Sequence, residues 1–173
     1  MILVLDADGL IKLAKISLLK ALLRRFDCFI SKEVFREAVV VGKMRLREDA
    51  FLVEKLVEEG LLKVMRAEKA PKASAMLEHA TGLGEGEKST LRLFFNLNAR
   101  AIVTDDLRFI KLLKGRSLPF ITSAGAILLL YGERAISKSE ALKYLNKLKP
   151  YISVKDYLAA KRWLERGSER RAP

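Results

Sequence analysis

The sequence predicts an α/β protein: a three-layer α/β/α sandwich around a central, mostly parallel sheet of four to five strands. Three observations carry this. Short apolar runs recur at 2–5, 28–30, 61–65, 101–104 and 119–122, each too brief for a helix. Stretches with helical spacing separate them, the pattern of parallel strands joined by crossover helices. Two of the runs also end in carboxylates, Asp6 after the first and Asp105-Asp106 after the fourth. Parallel neighbours in one sheet would deliver those acids to the same edge, where open α/β sheets bind ligands.

Each element has its own signal. Ile2–Leu5 is a continuous apolar run, as in a strand covered on both faces. Residues 9–25 read as one helix with Leu10, Leu13, Ala14, Leu18, Ala21 and Leu22 apolar, and Arg24 and Arg25 end it where the helix dipole favours cations. Asp8 reads as its N-cap, whereas Asp6 directly ends the strand and has no capping role. Cys28–Ile30 is a short strand. Ser31 caps the next helix, which carries Val34, Ala38 and Val41 on one face and is punctuated by Gly42. Residues 46–59 are helical, with Gly60 as the C′ stop, and Leu61–Met65 reads as an edge strand.

Residues 66–83 carry the least pattern. Pro71 and the glycines at 82, 84 and 86 bracket a short helix containing His79. A long helix at 85–98 precedes the strand at 101–104, and a helix from Asp106 to Lys114 ends at Gly115. Pro119–Thr122 is the last strand, and Ser123 caps a helix to Tyr131. Ser137 and Ser153 cap helices at 138–148 and 154–165, the second with Asp156 at its N3 position. Residues 1–165 thus read as one domain and 166–173 as a disordered tail.

Half of the 173 residues are hydrophobic, which excludes global disorder. Lys and Arg number 33 against 21 Asp and Glu, a formal net charge of +12. That excess favours phosphate-rich partners through counterion release. It also suits a surface rich in ion pairs. Cys28 is the only cysteine, so neither an intramolecular disulfide nor a Cys-based zinc site is available. The only histidine, His79, has no nucleophile motif beside it and reads as a structural or loop residue. No apolar run has the length of a membrane span, and the start lacks the layout of a signal peptide, so a cytoplasmic location is expected.

The acids fall into four clusters. Asp6 and Asp8 flank the first strand-to-helix turn. Glu33 and Glu37 lie one turn apart, with Glu37 beside the apolar positions 34, 38 and 41; on spacing alone each reads as a solvated helix acid, Glu33 favoured by the helix dipole. Glu85 and Glu87 sit in Gly82-Leu-Gly84-Glu-Gly86-Glu87, where glycines permit sharp turns and Glu87 borders the face carrying Leu91, Phe94 and Phe95. Asp105 and Asp106 follow Thr104, and one of them suffices to cap the following helix. Carboxylates gathered at one sheet edge repel one another unless a hard cation such as Mg²⁺ sits between them.

The order and spacing of Val4-Leu-Asp6-Ala-Asp8-Gly-Leu-Ile11, Val34-Phe-Arg-Glu37, Leu83-Gly-Glu-Gly86-Glu87 and Ile102-Val-Thr104-Asp105-Asp106 resemble the PIN domain, the metal-dependent ribonuclease fold of VapC-like toxins. Thr122-Ser123-Ala-Gly125 resembles the Gly-Thr-x-Gly start of the last PIN helix, with Ser123 where the family commonly has Thr. The resemblance covers roughly residues 1–150.

It implies that acids from these four places bind one or two Mg²⁺ or Mn²⁺ ions and cut RNA. Asp6 is then the first acid, Glu37 the second and Glu87 the third. The fourth is Asp106 in a Thr-x-Asp alignment and Asp105 in a strand-Asp alignment. Asp8, Thr104 and Ser123 would support the ligands. Arg36, Lys88, Arg92 and Arg108 neighbour the acids in sequence and are candidates for the RNA backbone; each reads equally as an ordinary exposed cation. The resemblance further implies a homodimer and, for a toxin, a cognate antitoxin protein. Tyr151, Tyr157, Leu158 and Trp163 near the C-terminus would suit a dimer interface or the packing of the last helix. Two alternatives stand beside this reading: a catalytically inactive PIN-like module that binds nucleic acid or protein, and a phosphohydrolase of the haloacid dehalogenase type. Asp6-Ala-Asp8-Gly9 matches the start of the latter, but its later motifs are missing.

Overall fold

The side chains of the central strand alternate between two cores. Leu3 and Leu5 join one apolar cluster and Val4 the other, and all three are fully buried. The computed structural model describes residues 1–78 and 80–166. His79 and all but the first residue of the expected tail lie outside the described residues. Five strands form the sheet: β1 (Ile2–Leu5), β2 (Asp27–Ser31), β3 (Leu62–Met65), β4 (Ala101–Val103) and β5 (Phe120–Ile121). Their order is β3-β2-β1-β4-β5 and every pairing is parallel. This is the expected sandwich, with β1 at its centre and β3 at an edge.

Helices cover both faces, as an all-parallel sheet requires. On one face lie α1 (Ala7–Lys15), α2 (Leu19–Arg25), α3 (Lys32–Phe35), α5 (Glu48–Glu58), α9 (Ser123–Gly132), α10 (Lys138–Leu148) and α11 (Val154–Arg166). The other face carries α6 (Pro71–Leu77), α7 (Glu85–Asn96) and α8 (Leu107–Gly115). A π-helical turn at Arg36–Val41 links α3 to the short α4 (Gly42–Met44). Among the described residues no helix is long and apolar enough to cross a membrane.

Several local expectations need correction. The helix expected at 9–25 is two helices. Ser17 takes a left-handed φ of 61°, the Leu18 N–H closes onto the Leu13 carbonyl, and the apolar phase slips so that Ile16, Leu18 and Leu19 are buried. Asp6, not Asp8, caps α1, because the helix begins at Ala7 and the Gly9 N–H donates to Asp6. Thr122, not Ser123, caps α9, accepting from the Gly125 N–H. Gly42 does not stop a helix. Its φ is −61°, and an added Cβ would meet Ala50 Cβ at 2.8 Å, so it allows close packing onto α5. Gly60 ends α5 with φ +71° as expected, and Ser31, Ser137 and Ser153 cap their helices.

Candidate active site

Asp6 is the residue from which the site is built. It follows the last residue of the central strand and is 2% exposed. Its Oδ1 accepts from the Gly9 N–H at 2.8 Å, and its Oδ2 accepts from the Thr104 hydroxyl. Burial raises its pKa to about 7. The two hydrogen bonds act against that rise, while the nearby Asp8 and Asp105 charges add to it. Gly9 lets α1 start close to the sheet, since a Cβ there would fall 2.7 Å from the Val103 carbonyl oxygen.

β4 ends beside β1 and supplies the next three groups. Thr104 is buried, and its Oγ1 also accepts from the Asp106 N–H at 3.1 Å. Asp106 caps α8 by accepting from the Phe109 N–H at 2.8 Å. Asp105 points elsewhere. It accepts from both the N–H and the hydroxyl of Ser123, and the N–H contact is 3.1 Å. Burial raises the Asp105 pKa; Ser123 and Lys12 oppose the rise.

The opposite wall comes from two helices on different faces of the sheet. Glu37 lies in the π-helical turn, and a Cβ on Gly86 would be 2.9 Å from Glu37 Oε2. The carboxylate therefore rests against the glycine that opens α7. The next residue of α7, Glu87, lines the same cleft, and its carboxylate accepts from the Gly84 N–H. The Glu87 pKa is raised, first by burial and further by the neighbouring Asp106 and Glu37 carboxylates. Ser31 and Ser89 are buried and hydrogen-bond at 2.7 Å, tying the start of α3 to α7.

Asp6, Asp8, Glu37, Glu85, Glu87 and Asp106 thus line one open cleft of about 290 Å³, together with Gly82, Gly84, Gly86 and Arg108. The acids share the cleft without closing on a point. Among the described residues no three His, Cys, Asp or Glu side chains form a group that could hold a metal ion as they stand.

The family model described as PIN domain matches residues 2–165. The chain belongs to the PIN domain family. PIN domains are generally nucleases and typically use divalent metals. The haloacid dehalogenase reading is therefore set aside, since Asp6-Ala-Asp8-Gly9 begins a PIN domain. Comparison with curated proteins and with solved structures gives no match.

Of the cations considered for RNA, the PIN domain brings only Arg108 to the cleft. Lys88 pairs with Glu85 at 2.8 Å. Arg92 has a buried Nε with no hydrogen-bond partner among the described residues, and Arg36 is exposed on the π turn. Thr104, Ser123 and Asp105 lie behind the cleft rather than on its lining. Sequence reading missed Lys12. Its ammonium is 2.7 Å from Asp8 and 3.9 Å from Asp105, so it partly neutralises the back of the site. The Asp8–Lys12 spacing is an ordinary helical i,i+4 pair; only the neighbouring position of β4 reveals the second contact.

Proposed function

We propose that this PIN domain is a metal-dependent endoribonuclease that hydrolyses RNA phosphodiester bonds. Asp6, Glu37, Glu87 and Asp106 would hold Mg²⁺ or Mn²⁺, with Asp105 contributing from behind. One observation carries the reading. Asp6 makes no ion pair among the described residues, yet it is buried at the floor of a cleft that holds Glu37, Glu87 and Asp106 as well. A carboxylate so placed is costly as an anion and is relieved by a cation. The donors are all oxygens, the kind that Mg²⁺ and Mn²⁺ take, and their spread across the cleft leaves room for the waters that Mg²⁺ retains.

A bound divalent ion would supply a Lewis acid that offsets phosphate charge and makes water easier to deprotonate. The chain's own groups do the rest. Gly9 and Thr104 fix the two oxygens of Asp6, and each oxygen keeps a second lone pair for a ligand. The Gly84 N–H donates to Glu87 and fixes its carboxylate toward the cleft. Arg108 offers a charge-assisted hydrogen bond to a phosphate oxygen.

The test is a paired one. Mn²⁺ should bind metal-free protein in a calorimetric titration, and single-stranded RNA should be cut with Mg²⁺ or Mn²⁺ and left whole in EDTA. A second reading, an inactive PIN-like module that binds nucleic acid or protein, is favoured by the open arrangement of the acids. It predicts RNA binding with no metal-dependent cleavage.

The likeness to VapC-like toxins extends the first reading to a toxin–antitoxin pair. Expression should then arrest growth, and co-expression of a cognate antitoxin should relieve it. A homodimer belongs to the same reading. Trp163 is 47% exposed even though its ring meets Tyr131 edge-on at 6.2 Å, which leaves aromatic surface on α11 for a second copy. Sedimentation at micromolar concentration would give twice the monomer mass.

A further inference from the structure

A second cavity adjoins the acidic cleft and shares Arg108 with it. It measures about 460 Å³ and is lined by Ala80, Thr81, Leu83, Arg108, Lys111, Leu112, Gly115 and Arg116. Its charged residues are all cations. None of the three makes an ion pair among the described residues. Between the cations lie two half-buried leucines, Leu83 and Leu112.

Helix α8 explains part of this arrangement. Arg108 and Lys111 are three residues apart and share a face, and Arg116 is the C-cap residue. A cation at the C-terminus complements the helix dipole, so Arg116 needs no ligand to account for it. Arg108 is different. It is the second residue of α8, in the turn where the dipole disfavours positive charge. Its guanidinium lies against Gly82, where a Cβ would come 3.9 Å from Nη1, and Gly82 holds a left-handed φ of +79°. The loop thus makes room for an arginine whose charge is offset by the cleft carboxylates on one side and open to the second cavity on the other.

We propose that this cavity is a nucleotide subsite for single-stranded nucleic acid next to the acidic cleft. Lys111 and Arg116 hold a backbone phosphate, and a base rests on Leu83 and Leu112. Arg108 bridges to the phosphate in the cleft. Cations around an apolar floor fit the two halves of a nucleotide, a phosphate and an unstacked base face. A duplex keeps its bases stacked and offers no such face. The proposal rests on the nuclease reading for its orientation of the strand, but its binding step does not need catalysis.

The test measures binding in EDTA, where cleavage is blocked. A labelled single-stranded RNA is titrated by fluorescence anisotropy across a salt series with wild type, with Lys111→Ala/Arg116→Ala, and with Lys155→Ala/Arg162→Ala on α11. The last pair removes equal charge from exposed or half-exposed positions that line neither cavity. For single strands the slope of log K against log salt changes by about 0.7 for each phosphate contact. The subsite variant should show a shallower slope by about that amount per contact and roughly tenfold weaker binding, while the α11 variant matches wild type. Equal slopes and affinities for the two variants overturn the subsite, as does tighter binding of duplex than of single-stranded RNA. Adding Mn²⁺ separates the two proposals. Binding that depends on Lys111 and Arg116 without cleavage sinks the nuclease reading and leaves the subsite. Cleavage with kcat/KM unchanged in the subsite variant does the reverse.

Discussion

The hydroxyl of Thr104 donates to the buried carboxylate of Asp6, joining the ends of β4 and β1 across 98 residues of chain. The same oxygen accepts from the Asp106 N–H, so one threonine sets the positions of two acids of the cleft. Thr104→Val keeps the shape and removes both bonds. It should lower stability by about 1–3 kcal/mol, the cost of leaving buried polar groups without partners. Thr104→Ser should restore most of it. Urea unfolding of the two variants checks this, and equal midpoints for Val and Ser would mean that the hydroxyl is idle.

Asp6 also predicts how stability responds to pH. Its folded pKa, raised to about 7, lies above the ordinary aspartate value of about 3.9. Between those values the folded chain keeps a proton that the unfolded chain has released. Stability of the metal-free protein should therefore fall as pH rises through that window and level off above about 7. The full loss is on the order of 4 kcal/mol, as an upper bound. Glu87 and Asp105 are shifted in the same direction and add to the slope. Asp6→Asn should flatten the profile and be the more stable protein at pH 8 in EDTA. Urea midpoints across pH 5 to 8 measure both effects.

Gly86 separates folding from function. A Cβ there meets the far end of the Glu37 side chain, which can swing aside, rather than backbone. Gly86→Ala should thus leave unfolding free energy within about 1 kcal/mol of wild type, helped by the better helix propensity of alanine. Glu37 would be displaced from the cleft, and Mn²⁺ affinity should drop several-fold in a calorimetric titration. Unchanged affinity would remove Glu37 from the site.

Much of the fold is legible because strand signals are local. The apolar run Ile2–Leu5 announces a strand covered on both faces, and Leu3 and Val4 do face opposite cores. Ser137 and Ser153 announce their helices through spacing alone. The break between α1 and α2 is not legible, since Ser17 adopts a left-handed φ without the usual glycine. Thr122 and Ser123 are both hydroxyl residues, so which one caps α9 depends on where β5 stops. Of the acids that line the cleft, Asp6 and Glu87 could be picked out from a strand end and a helix face, whereas Glu37 came with the PIN resemblance. Their distances could not be read, because Glu37 and Glu87 reach the cleft from opposite faces of the sheet and meet only through Gly86. The second contact of Lys12 and the cavity beside α8 likewise depend on neighbours far away in sequence.

The central claim, that Asp6 anchors metal-dependent cleavage of RNA, is tested most directly by the rate at which Asp6→Asn cuts single-stranded RNA in Mn²⁺, beside wild type. Asn keeps the side-chain size and an acceptor for Gly9 but loses the charge. The account predicts a fall of at least about a hundredfold, as for other electrostatic contacts to a transition state, with folding intact by circular dichroism and no cleavage by either protein in EDTA. Cleavage by Asp6→Asn at the wild-type rate, or cleavage by wild type that persists in EDTA, would contradict it.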